Sequence, residues 1–162
     1  MAIVRPFKAL RPAEGKADKV AVLPYDVMNR AEAKAMAKGN PDSFLYVGRS
    51  EIALPEDVGP YDPQVYAKAR ETLIKMEEDG VLVQDEKPML YIYRQIMDGR
   101  VQTGLVATVS VDEYLNNKIK KHEYTREVKE IDRINHFDVC DANTEPIFLT
   151  YRQQDEIDRL LN

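Results

Sequence analysis

The dipeptide Asp98-Gly99, set between "PMLYIYRQIM" and "RVQTGLVATVSV", constrains the fold more than any other feature of the chain. A two-residue type I′ turn needs positive φ at both central positions, which Asp and Gly tolerate, and it joins two antiparallel strands. Counting outward from the turn pairs Ile96 with Val101, Ile92 with Leu105 and Leu90 with Ala107 on one face. Tyr91 with Val106 and Tyr93 with Gly104 fall on the other. Apolar residues on both faces predict a central hairpin over about residues 88–110, covered on each side.

A helix is the second fixed element. In "DPQVYAKARETLIKMEEDG", Asp62 is placed to cap, Pro63 to occupy the first helical position and Gly80 to stop it. Val65, Tyr66, Ala69, Leu73 and Met76 recur at the helical period and predict a core-facing stripe. Asn29 with Glu32 forms a capping box ahead of a short Ala-rich helix that Gly39 ends. Hairpin and helices predict an α+β fold, a mixed or mainly antiparallel sheet with three to four flanking helices. Further strands are expected at Val20–Leu23, in "DSFLYVGRSE" and in "EPIFLTYR", with a terminal helix in "QQDEIDRLLN". The prolines of "MAIVRPFKALRP" forbid a helix and suit an edge strand or extended arm.

A length of 162 residues suits a single α+β domain over 1–162, or two small lobes sharing a core. It suffices to bury roughly two thirds of the unfolded surface. The net charge of −5 opposes non-specific binding to polyanions, so no nucleic-acid partner is expected. No stretch approaches a membrane span, and the N-terminus is too short and polar for a secretory signal. The lone Cys140 cannot form an internal disulfide. The expected address is the cytoplasm, with no membrane association.

"KIKKHEYTREVKEIDRINHFDVCDANTEPIF", Lys118 to Phe148, holds both histidines, the cysteine and a dense alternation of charges. Thr125 can cap a helix running to about His136. At 100° steps Val128, Ile131 and Ile134 share one arc, which predicts that they anchor the helix to the core. Arg126, Lys129, Glu130, Arg133 and His136 lie nearly opposite. One reading is a solvated face supported by neighbouring charge pairs.

The other reading places an anion at the helix entrance, where His122, Glu123 and Thr125 stand and free backbone N–H groups favour negative charge. A phosphate or carboxylate there would be met by Lys129 and Arg133, with Glu123 or His122 moving a proton of a substrate hydroxyl. A metal held by His122, Glu123 and His136 is a third option, although the spacing is not His-Glu-x-x-His. Cys140 is expected to be an inert thiol, its pKa raised by Asp138 and Asp141. Asp26 in "PYDV" either closes a local turn or faces a ligand beside Tyr25.

Four segments in order resemble one family: "RPFKALRP", "PYDV" at 24–27, "HEYTREVKEIDR" at 122–133 and "NTEPIFLTY" at 143–151. Together they resemble the N-terminal part of the uncharacterised domain of unknown function 1015. Members are typically over twice this length, and their later half carries an Asp-Gly-His-His-Arg-Tyr segment similar to the phosphate-binding turn of the ParB and sulfiredoxin-like fold. That fold includes a free serine kinase. "VGRS" at 47–50 and "MDGR" at 97–100 lack the paired histidines, so the chain is expected to be the N-terminal portion of a longer protein or a short member without the turn.

The resemblance implies a nucleotide-dependent phosphotransferase, kinase-like, acting on a small hydroxyl compound such as a free amino acid, with ATP and Mg2+ used by the full-length protein. Carried over by position, the implied site is Asp26, His122, Glu123, Thr125, Lys129, Asp132 and Arg133. Glu123 or His122 would be the base, Lys129 and Arg133 would hold phosphate, and Asp132 would hold Arg133 or a magnesium-bound water. The implied partners are a small-molecule ligand and a C-terminal half or a second copy of the chain. A non-catalytic nucleotide- or ligand-binding module, or a protein-interaction module, is the alternative, and little activity is expected of this chain alone.

Overall fold

Side-chain caps at Asn29 and Asp62 start two of the helices, and a computed structural model describes residues 2–122 and 124–161. In chain order the elements start with β1 (Val4–Arg5), β2 (Leu10–Pro12), α1 (Ala17–Val20) and a 3-10 turn at Tyr25–Val27. Then come α2 (Arg30–Ala37), α3 (Leu45–Gly48), a second 3-10 turn at Ser50–Ala53, α4 (Pro63–Glu78) and β3 (Leu82–Gln84). β4 (Tyr91–Met97), β5 (Arg100–Val106), β6 (Thr108–Val109), α5 (Val111–Leu115), α6 (Glu127–Cys140) and α7 (Asp155–Leu161) complete the chain. The strands pair antiparallel in twos, as β1 with β6, β2 with β3 and β4 with β5, which makes the fold α+β.

The chain divides into two compact units. The helical unit comprises Leu10–Gln84 and Thr125–Thr144. Its α2 starts at the predicted capping box, in which Asn29 accepts from the Glu32 N–H and the Glu32 side chain accepts from the Asn29 N–H. Gly39, at φ +79°, follows the helix end. Asp62 caps α4 through the Gln64 N–H at 2.9 Å with Pro63 behind it, and the five stripe residues Val65, Tyr66, Ala69, Leu73 and Met76 are all buried. Ala69, Leu73 and Met76 meet Val20, Val47, Val81, Leu82 and Cys140 in one core cluster. A second gathers Met28, Ala33, Ala37, Leu45 and Ile52. All of the buried hydrophobic side chains among the described residues belong to this unit.

The hairpin unit comprises Met1–Ala9, Asp85–Tyr124 and Glu145–Asn162. Asp98 and Gly99 take φ +51° and +77°, and four of the five predicted pairs form, Ile96 with Val101, Ile92 with Leu105, Tyr91 with Val106 and Tyr93 with Gly104, while Leu90 with Ala107 lies outside the ladder. The hairpin is not covered on both faces, however. Ile92, Ile96 and Val101 are 60%, 68% and 55% exposed. What steadies the unit is polar: the Tyr91 hydroxyl lies 2.6 Å from Asp85 Oδ2 and accepts the Ala9 N–H at 2.9 Å. Glu113 pairs with Lys118 and accepts the Ile3 N–H.

Four further expectations fail. Val20 ends helix α1 instead of opening a strand, and "DSFLYVGRSE" folds as α3 and a 3-10 turn. Both segments are apolar runs too short for periodicity to separate a strand from a buried helical turn. "EPIFLTYR" forms no strand among the described residues, and Ile147 and Phe148 are over two thirds exposed at 72% and 75%. The capping residue of α6 is Arg126, without a side-chain cap, rather than Thr125.

The largest reversal concerns which face of α6 is buried. Val128, Ile131 and Ile134 are 58%, 50% and 51% exposed, while Asp132, His136 and Cys140 are 5%, 3% and 5% exposed. These three lie four residues apart along one face. A polar face is buried at low cost only when its groups find partners, and here each does.

Candidate functional site

Asp132 is held from two sides. Oδ1 accepts the Tyr66 hydroxyl of α4 at 3.0 Å, and Oδ2 takes Arg133 Nη2 at 2.9 Å with Nε at 3.3 Å. One turn on, His136 Nε2 is 3.1 Å from the Val47 carbonyl, which can only accept, so Nε2 carries the proton. Nδ1 is left to accept from the Thr144 hydroxyl at 3.4 Å. The ring stands edge-on to Tyr66 with centroids 6.5 Å apart. Burial, ahead of the nearby Arg133 charge, holds the His136 imidazole below the ordinary histidine range, consistent with this neutral tautomer. Burial and the Asp132 hydrogen bond push the Tyr66 phenol up. Cys140 is also pushed up, and the cause is burial rather than the acidic neighbours expected from the sequence.

Beside this network lies a cleft of about 160 Å3 within the helical unit. One wall is α6 with Lys129 and Arg133, and the facing wall is Gly48–Glu51 with Tyr61. The Glu51 end of that wall is held by Arg30 of α2. Its guanidinium reaches the carbonyls of Val58 at 2.9 Å, Glu51 at 2.6 Å, and Leu54 and Pro55 at 2.8 Å, so the loop from Glu51 to Val58 is tied to one planar fork. Arg49 Nη1 donates to the Tyr25 carbonyl at 3.4 Å. Arg49 Nε stands 2.8 Å from Glu51 Oε1, an ion pair without hydrogen-bond alignment.

The cations are arranged on aromatic faces. Arg133 Cζ lies 4.1 Å from the Tyr25 ring centroid, and Lys129 Nζ lies 5.9 Å and 5.8 Å from those of Tyr25 and Tyr61. The lining carries three cations, Arg49, Lys129 and Arg133, against two carboxylates, Glu51 and Asp132. The carboxylates are already paired with the two arginines, so the excess positive charge resides on Lys129. Among the described residues Lys129 has tyrosine faces beside it and no carboxylate within ion-pair range. Such a group can bind an anion without first breaking a pair.

Of the residues marked in the sequence, Lys129, Asp132 and Arg133 therefore meet in one cleft. Asp26 and Thr125 are exposed and do not line it, and it is Tyr25 of "PYDV" that does. His122 is exposed and belongs to the hairpin unit. Glu123 lies outside the described residues. Among the described residues no group of three or more His, Cys, Asp or Glu is placed to hold a metal. Sequence reasoning missed Arg49, Glu51, Tyr61 and Tyr66. Its one pointer was "VGRS", read as part of a strand and set aside as a phosphate turn, whose Gly48, Arg49 and Ser50 line the cleft.

Fold and site thus define a two-unit α+β protein with a small, tyrosine-lined cationic cleft built on one amphipathic helix. The chain belongs to the family described as "Protein of unknown function (DUF1015)", whose model matches residues 4–162. No curated protein and no solved structure matches it. No helix among the described residues is long and apolar enough to cross a membrane.

Proposed function

We propose that the cleft on α6 binds a small anion through Lys129 and Arg133, as the phosphoryl-holding part of a nucleotide-dependent phosphotransferase acting on a small hydroxyl compound. The observation that carries this reading is Lys129, a cation seated beside two tyrosine faces and, among the described residues, without a carboxylate partner. Ligand pockets for whole organic molecules run to roughly 300 Å3 and more, whereas this cleft measures about 160 Å3. It suits a phosphoryl or carboxylate group, with the rest of a nucleotide lying outside. Magnesium would arrive with the nucleotide, because both cleft carboxylates are already paired.

A non-catalytic binding module is the second reading, favoured by one observation. His136 is committed to Val47 and Thr144, and Asp132 to Tyr66 and Arg133, so neither is free to take a proton. Catalysis would then rest on His122 or Glu123. The test is 31P NMR of inorganic phosphate titrated with the protein, followed by ADP release from ATP over a panel of amino acids and polyols. Binding is expected to be saturable and lost in Lys129→Ala, and turnover to be lost in Glu123→Ala. Absence of saturable phosphate binding sinks the anion-site reading; binding without turnover over the whole panel favours the module.

A further inference from the structure

We infer that Tyr66 is a positioning residue for anion binding, acting through Asp132 on Arg133; the inference rests on the anion-site reading above. Tyr66 belongs to the α4 stripe and is 4% exposed, so by pattern it is an ordinary core aromatic. Its hydroxyl is nonetheless aimed at Asp132 Oδ1 at 3.0 Å. The opposite oxygen of the same carboxylate takes two donors of Arg133, Nε at 3.3 Å and Nη2 at 2.9 Å, and Arg133 Cζ lies over the Tyr25 ring, 4.1 Å from its centroid. The chain of contacts therefore runs from the core helix to the lining of the cleft without a gap.

Each link restricts a rotation. Asp132 alone could turn about its terminal torsion, which is broad for a carboxylate. With Tyr66 on one oxygen, the other is fixed toward Arg133. An arginine gripped through Nε and one Nη has its fork oriented, and oriented donors lose less rotamer freedom when a ligand arrives. Tyr66 needs to contact no ligand to do this. The ring packs edge-on to His136, and that packing survives removal of the hydroxyl.

The test is a double-mutant cycle on phosphate binding, read by 31P NMR, with thermal melting as the fold control. Tyr66→Phe keeps the ring and should weaken phosphate binding by roughly three- to tenfold. In the Arg133→Ala background the same change should have no effect, because the residue through which Tyr66 acts is gone. Asp132→Asn supplies a second, isosteric variant and should show the same dependence on Arg133. A Tyr66→Phe protein binding phosphate like the wild type overturns the inference and leaves the anion site standing. Equal losses with and without Arg133 also overturn it, since Tyr66 would then act on its own or through general loosening. If the wild type binds no phosphate, the anion-site reading fails and this inference fails with it.

Discussion

Replacing His136 by alanine tests the assignment of the buried face of α6. The ring is 3% exposed and donates to the carbonyl of Val47, a residue with no exposed surface. Truncation leaves that carbonyl without its donor, a cost of roughly 1–3 kcal/mol. It also opens a void between Tyr66 and Cys140, bringing the total to about 3 kcal/mol. Ile131→Ala on the opposite face, where half of the side chain is already in water, should cost about 1 kcal/mol or less. Hydrophobicity alone ranks the two substitutions the other way. Urea titrations followed by circular dichroism measure both, tyrosine and backbone signals serving because the chain has no tryptophan. Equal costs, or an isoleucine that matters more than the histidine, would refute the buried polar face.

The remaining predictions concern pH, loop and thiol. Because burial lowers the folded-state pKa of His136, the unfolded chain takes up that proton first as pH falls. The associated stability is complete above the ordinary histidine value of about 6.5 and is lost on acidification toward the lowered folded value; His136→Gln should flatten this slope between the neutral and mildly acidic melts. Arg30→Lys keeps the charge but loses the planar fork on four loop carbonyls within 2.9 Å, so it should destabilise by about 2 kcal/mol and loosen residues 51–58 in hydrogen exchange. Cys140, 5% exposed with its thiol pushed up, should react with iodoacetamide only as fast as the helical unit opens, and rapid labelling of the folded protein would contradict its burial.

Legibility from sequence followed the range of the interaction. The hairpin register needed only a turn dipeptide and a count of two, and the ends of α2 and α4 only a cap and a glycine. The site was half legible. Lys129, Asp132 and Arg133 stood out as a charged run on a helix, while Arg49, Tyr61 and Tyr66 come from segments far apart in the chain and carry no local mark. "VGRS" was noticed for its composition and misjudged for its shape.

By itself, the sequence determined the elements whose hydrogen bonds close within a few residues: the Asp98-Gly99 turn, the Asn29 and Asp62 caps and the α4 stripe. The tertiary structure decided what α6 buries. Two faces of that helix are available, one with Val128, Ile131 and Ile134 and one with Asp132, His136 and Cys140, and hydrophobicity favours the first. The second is buried because Tyr66, Arg133, Val47 and Thr144 supply partners to its polar groups. A buried polar group costs little or much according to whether such a partner stands within about 3 Å, and no spacing along the chain reports that distance.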